Sequence, residues 1–126
     1  MVSQGSHTLA WQCGNKALYA AASVEVENPA QGAIELGEVP EQWRAGVLFG
    51  ILLLREALWQ SPDLRTAAIK VRVFRGQPSD TTMMAAAFVA FHSVAQALSV
   101  DVGKLFVLDE ATGGFSVASS TNEHWS

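Results

Sequence analysis

Two stretches of the chain alternate between apolar and polar residues with a period of two, which is typical of strands with one buried face. The first covers residues 17–27 and the second covers residues 67–74. The apolar face of the first consists of Leu18, Ala20, Ala22, Val24 and Val26. In the second, Ala67, Ile69, Val71 and Val73 share one face, and Ala68, Lys70, Arg72 and Phe74 share the other. The pattern predicts two half-buried strands.

Two longer stretches carry apolar residues at the spacing of an amphipathic helix. The first begins at Pro40, since proline is well suited to the first turn of a helix. It ends near Gln60, before a helix-stopping Ser61-Pro62-Asp63. The second runs from Asp80 or Thr81 to Ser99. The predicted buried stripes are Trp43, Val47, Leu48, Ile51, Leu52 and Leu58 in the first helix, and Met84, Ala87, Phe88, Phe91, Val94, Ala95 and Leu98 in the second.

Weaker patterns predict three further strands, at residues 6–12, 33–36 and 104–110. Residues 1–5 read as a loose terminus, and the Gly-, Ser- and Thr-rich residues 112–126 as a flexible tail. Two helices packed over one mixed four-stranded sheet form an α+β two-layer sandwich, and this is the fold class that the element order predicts.

Composition favours one folded domain over residues 1–126, with a core at about residues 7–111. A hydrophobic fraction of 49% and a charged fraction of 16% exclude a disordered chain. The single Cys13 allows no internal disulfide and suits a reducing compartment. The apolar run from Ala45 to Leu54 is shorter than the roughly 20 residues of a membrane span. No signal-peptide pattern precedes it, so we expect a cytoplasmic protein without membrane contact.

The net charge of −4 argues against a nucleic-acid-binding domain, because such domains are ordinarily basic. Lys70, Arg72 and Arg75 lie on one predicted strand and its exit. Such cations are most often a solvated face, and the other interpretation is a weak phosphate-contacting patch.

The sequence shows no arrangement typical of catalysis or of a metal site. His7, His92 and His124 are far apart, and none has metal-ligand spacing with Cys13 or an acid. A nucleophile elbow and a glycine-rich phosphate loop are both missing from the sequence. We therefore expect no enzyme, metal or cofactor, and a structural or surface role for His92. Residues 79–82 predict a helix cap, and the alternative is a contact to an anion or an RNA phosphate.

Several segments of the chain follow, in order, the motifs of one known protein family. Gly14–Ala20 is similar to a Gly-rich turn followed by Gln-Tyr-Ala, and Val39–Trp43 to the helix opening Ile-Pro-Lys-Glu-Tyr. Ile69–Gly76 looks like the family's Val-Lys-Val-Arg-Leu-Tyr-Asp-Gly. Ala87-Phe88 follow at the family's distance, and Leu105–Glu110 is similar to its closing Leu-Leu-Glu-Pro strand. Together these segments resemble the fourth domain of bacterial elongation factor G and its ribosome-bound GTPase relatives.

The resemblance covers roughly residues 7–111 and implies a fold and a mode of action. The implied fold is that of the second domain of a small-subunit ribosomal protein, with a left-handed β-α-β crossover where the general rule favours a right-handed one. The implied function is a ribosome- or RNA-binding module that acts through two tip loops, residues 13–16 and 75–80. The candidate contact residues are Asn15, Lys16, Arg72, Arg75, Gln77, Ser79 and Asp80.

Departures from the family pattern leave the function open. The sequence has no nucleotide-binding domain, and Ser79 replaces the family's tip histidine. A second hypothesis is therefore an interaction domain that binds itself as a homodimer, or another protein, through its open sheet face. Its candidate apolar residues are Trp11, Tyr19, Phe74 and Phe106. A small enzyme is a third hypothesis, which rests on fold analogy alone.

Overall fold

The computed structural model describes residues 2–27, 32–59 and 67–118. Its elements, in chain order, are β1 (Val2–Cys13), β2 (Lys16–Glu27), β3 (Ile34–Glu38), α1 (Glu41–Ala57), β4 (Ala68–Gly76), α2 (Met83–Leu98), β5 (Phe106–Asp109) and β6 (Gly114–Val117). The predicted fold class is confirmed, because two helices cover one face of a mixed four-stranded sheet. Neither described helix combines the length and the apolar character that a membrane crossing requires.

The main sheet has the strand order β1-β2-β4-β3. β1 pairs antiparallel with β2, and β2 pairs antiparallel with β4. β3 and β4 are parallel, and the chain between them passes through α1. A two-residue turn joins β1 to β2, with Gly14 at a φ of +61° in its first central position. This is the position that glycine occupies in type II′ hairpin turns.

A β-bulge in β4 overturns part of the predicted strand pattern. Val71 pairs with Val24 and Val73 pairs with Ser23, so Arg72 is an extra residue in β4. A bulge shifts the alternation of side chains by one position. Phe74 is therefore 3% exposed and packs in the core, where its ring centroid lies 5.6 Å from that of Trp43. The prediction of Phe74 on the open face, opposite a buried Val73, was wrong.

The two helices cross at a pair of glycines in α1. The backbone of α2 comes so close to Gly50 that a Cβ atom there would meet the Ala87 carbonyl oxygen, and Gly46 lies against Met83 in the same way. Every residue of α2 apart from Met83 and Gln96 is buried or half-buried, because the helix is enclosed by the sheet, α1 and the β5–β6 hairpin. Its alanines permit this close approach on several sides.

α1 carries more apolar residues than its packed face can bury. Trp43, Val47, Ile51 and Leu54 are buried as core residues. Leu48 and Leu52 were predicted to be buried with them, but they are 36% and 45% exposed on the opposite side. The prediction failed because the apolar pattern of α1 covers two faces, and only one of them contacts the rest of the domain.

Residues 2–5 and 114–117 form strands, which the sequence does not indicate. β1 starts at Val2, although residues 1–5 were expected to be loose. The predicted last strand is shorter and belongs to a separate two-stranded sheet with β6. Gly114–Val117 forms β6, which contradicts the prediction of a flexible tail from residue 112. The rest of that tail, residues 119–126, lies outside the described residues, as does the predicted helix stop at residues 61–63.

Candidate functional site

Three connections meet at one end of the sheet, and we call them together the loop end (residues 14–16, 77–82 and 110–113). The first is the β1–β2 turn, the second is the β4–α2 loop, and the third is the β5–β6 turn. They surround a depression of about 300 Å³. Its lining consists of Trp11, Asn15, Lys16, Ala17, Leu18, Ser79, Asp80, Thr112 and Gly113.

The hydroxyl of Thr81 fixes the β4–α2 loop against β2. It accepts a hydrogen bond from the Gln77 N–H at 2.7 Å and donates one to the Tyr19 carbonyl oxygen at 2.6 Å. The Tyr19 N–H in turn donates to the Asp80 carbonyl oxygen at 3.0 Å. Thr82 begins α2 as its N-cap and accepts from the Ala85 N–H at 3.0 Å, which confirms the predicted helix cap. The β4–α2 loop is therefore held at β2 by Thr81 and Asp80, and at the start of α2 by the Thr82 cap.

Trp11 fixes the third connection. Its indole N–H donates to the Glu110 carbonyl oxygen at 2.9 Å, and its ring packs against Gly113. Trp11 was one candidate for an apolar patch on the open sheet face, but this half-buried side chain anchors the β5–β6 turn instead.

The structure brings four of the seven predicted contact residues together. Asn15, Lys16, Ser79 and Asp80 line the depression at the loop end. Gln77 belongs to the same loop, where its backbone holds the Thr81 hydroxyl. The other two, Arg72 and Arg75, lie on β4. Arg75 lines a shallow depression of about 310 Å³ on the open sheet face, together with Ser6, Thr8, Ala21, Ala22, Ser23 and Val73.

Carboxylates neutralise two of the three cations on β4. Lys70 lies 3.4 Å from Glu35, and Arg72 lies 3.4 Å from Glu25. Exposed pairs of this kind add little stability, but they reduce the positive potential of the surface that carries them. Within residues 2–27, 32–59 and 67–118, Lys16 and Arg75 form no ion pair. These two cations are therefore the better placed to meet an anionic partner.

The histidines belong to an aromatic cluster beneath β1. The ring centroid of His7 lies 5.2 Å from that of His92 and 5.6 Å from that of Phe88. His92 Nε2 lies 2.8 Å from the Phe106 carbonyl oxygen and so ties α2 to β5, in agreement with a structural role. Across the described part of the chain, no three His, Cys, Asp or Glu residues are grouped as metal ligands. His124 lies outside that part.

Acidification is expected to destabilise the domain through His7. Burial, and secondarily the charge of His92, hold the pKa of His7 below its ordinary value. As the pH falls through about 6.5, the unfolded chain therefore binds a proton while the folded chain does not. This contribution to stability is complete above about pH 6.5 and is lost as the pH falls towards the lower folded pKa.

The melting temperature should consequently fall between about pH 7.5 and about pH 5.5, a range in which ordinary carboxylates stay ionised. His7→Phe keeps a ring against Phe88 and should flatten this pH dependence. An equal pH dependence in the two proteins would show that His7 is not responsible.

No family model and no curated protein matches the chain. The fold does recur among solved structures. The crystal structure of a protein from Thermus thermophilus is similar with a TM-score of 0.62 and 14% sequence identity. The match covers 78% of this chain but only 16% of the Thermus chain. This likeness shows the fold, which in the Thermus protein is one part of a much longer chain.

Proposed function

We propose that this chain is a non-catalytic domain that binds the ribosome or another structured RNA through its loop end, in the cytoplasm. The arrangement of the β1–β2 turn and the β4–α2 loop carries the proposal. These segments are far apart in sequence, yet the Thr81 hydroxyl and the Tyr19 amide fix the β4–α2 loop to β2, the strand that follows the β1–β2 turn. A preorganised pair of loops loses little conformational entropy on binding.

Three side chains at the loop end suit contacts to the RNA backbone, beside the Asp80 carboxylate in the same lining, which does not. Asn15 and Ser79 offer short polar groups, and Lys16 adds a cation beside them. Arg75 lies on the adjoining open face, with serine, threonine and alanine as its neighbours, so a phosphate can approach its guanidinium. Arg72 is less suitable than the resemblance to elongation factor G implies, because Glu25 already pairs with it.

Salt dependence of ribosome binding provides the test. The chain should sediment with ribosomes or small subunits at low salt, and the affinity should fall as salt rises, because phosphate contacts release counterions. The double variant Lys16→Glu with Arg75→Glu should bind at least about tenfold more weakly, and the slope of log affinity against log salt should drop by about two.

Lys104→Glu is the matched control. It makes the same charge change as Lys16→Glu alone, at an exposed lysine near the other end of α2, so it should bind as the unaltered chain does. Equal loss in Lys104→Glu and in the single variant Lys16→Glu would indicate bulk charge alone. Absence of binding at low salt would contradict the proposal.

The hypothesis of an interaction through the open sheet face loses its main support. Phe74 and Phe106 are 3% and 0% exposed, and Trp11 is engaged with the β5–β6 turn. Tyr19 alone remains of the proposed apolar patch, and it is half-buried. Exposed apolar side chains are instead concentrated on α1.

A further inference from the structure

The depression at the loop end combines apolar and polar surface. Its apolar part comes from Trp11, Ala17 and Leu18, and its polar part includes the side chains of Asn15 and Asp80. Its volume of about 300 Å³ is at the lower limit for small-molecule sites. The depression therefore has room for one planar ring system, with polar groups placed to contact the edge of that ring.

The ring of Trp11 is held in place where it lines this depression. Its indole N–H donates to the Glu110 carbonyl oxygen at 2.9 Å, and Gly113 packs against the ring. The side chain is half-buried, so part of the indole is still accessible. A fixed aromatic ring of this kind is a stacking surface for an unpaired nucleobase, and proteins that bind single-stranded RNA commonly hold bases in this way.

The Asp80 carboxylate is the group at the loop end that phosphate contacts do not explain. The main chain of this residue is fixed, because its N–H donates to the Gln77 carbonyl oxygen at 2.9 Å and its carbonyl oxygen accepts from the Tyr19 N–H at 3.0 Å. The carboxylate itself forms no ion pair or hydrogen bond with any other described residue, although Lys16 lines the same depression. A well-positioned acceptor is therefore available beside the stacking surface.

We infer that this depression binds an unpaired guanine base of the RNA, an inference that rests on the RNA binding proposed for the loop end. A carboxylate only accepts hydrogen bonds, and its two oxygens accept them side by side. The Watson–Crick edge of guanine carries two adjacent donors, N1–H and N2–H. Adenine and cytosine present one donor next to an acceptor, and uracil presents one donor between two acceptors. Guanine is therefore the base whose edge matches the carboxylate of Asp80.

The neighbouring side chains complete the recognition of guanine. Asn15 lines the same depression, and its amide offers the donor that guanine O6 needs. Lys16 and Arg75 keep their role as contacts to the phosphates of the flanking nucleotides, which position the RNA without specifying its sequence. The loop end would thus read one base while its cations hold the backbone on either side.

RNA hairpins with different bases in the loop test the inference on the unaltered chain. They share one stem and one uridine loop, with guanosine, inosine or adenosine at the loop centre. Fluorescence anisotropy should show the guanosine hairpin bound at least about tenfold more tightly than the adenosine hairpin. Inosine lacks the N2 amino group, so its hairpin should bind with intermediate affinity.

Failure of the inference can be told apart from failure of RNA binding itself. Equal affinity for all the hairpins would overturn guanine recognition and leave RNA binding through phosphates in place. Binding to ribosomes but to no hairpin would overturn it as well. Absence of binding to both hairpins and ribosomes would contradict the proposed function together with the inference.

Asp80→Asn tests the carboxylate directly. The substitution keeps the size of the side chain but replaces one acceptor with a donor, so the preference for guanosine over adenosine should disappear. Glu27→Gln is the matched control, because it removes the same charge at the exposed far end of β2 and should retain the preference. The ratio of the two affinities is compared in each variant, so a general gain from the lost negative charge cancels. A preference that survives in Asp80→Asn would overturn the inference.

Free nucleotides distinguish a base in RNA from a soluble ligand. GMP should displace the guanosine hairpin only at large excess, because it lacks the flanking phosphates that Lys16 and Arg75 contact. AMP at the same concentration should leave the hairpin bound. Displacement by equimolar GMP would identify a free guanine nucleotide as the ligand, and equal displacement by AMP and GMP would show no selection of guanine; either result would overturn the inference.

Discussion

Gly50→Ala is expected to destabilise the domain by at least about 3 kcal/mol, the range of severe packing changes. A Cβ atom at this position would overlap the Ala87 carbonyl oxygen and lie 2.8 Å from the carbonyl carbon. These are backbone atoms of α2, which cannot swing away as a side chain would. The helices must separate instead, and the contacts on both sides of the crossing are loosened.

Intrinsic helix propensity predicts the opposite sign. Alanine stabilises an exposed helix by about 1 kcal/mol relative to glycine. Urea unfolding followed by circular dichroism separates the two effects, with Ala45→Gly as the control. Ala45 is exposed in the same helix, so its replacement should cost only about 1 kcal/mol. A Gly50→Ala variant as stable as the original chain would show that α1 and α2 are not in close contact here.

Phe106→Ala is expected to cost about 3–5 kcal/mol, as for other fully buried phenylalanines. The Phe106 ring is 0% exposed and lies edge-on to Phe88 and Phe91, with centroid distances of 5.3 and 5.4 Å. Its loss would leave a cavity between α2 and the β5–β6 hairpin. The hairpin is thereby predicted to be part of the cooperative unit.

Chemical unfolding measures this loss of stability, and monitoring at two wavelengths tests whether the hairpin unfolds together with the rest of the domain. Val117→Ala is the control. Val117 pairs with Phe106 across the hairpin but is 38% exposed, so its truncation should cost less than about 1 kcal/mol. If both variants lost a similarly small amount of stability, the hairpin would pack only loosely on α2.

The long strand at residues 17–27 was predictable because its alternation is unbroken. The local sequence alone determines which side chains of this strand face the core, from Leu18 to Val26. β4 was predicted correctly only as far as Val71. The bulge at Arg72 depends on how β4 pairs with β2, and no feature of the sequence around residue 72 signals it. Helix α1 shows a related limit, since periodicity finds apolar positions but not which of two apolar faces is buried.

The candidate site was predictable in its parts but not in its construction. Turn signals and the resemblance to elongation factor G indicated the two loops, and the structure places them side by side. The residues that hold them were missed. Thr81 reaches a partner 62 residues away, and Trp11 reaches one 99 residues away. Separations of this length correspond to no local pattern, so nothing in the sequence around Thr81 or Trp11 identified these partners.

The bulge in β4 separates two halves of one strand that can change independently. Before it, odd-numbered residues face the core; after it, Phe74 does, and Arg75 faces outward. A regular strand with the same residues and no bulge would exchange these two side chains and direct a guanidinium into the interior. The bulge therefore lets evolution, or a designer, set the surface beside the loop end while the lower half of the strand and its core partners stay as they are.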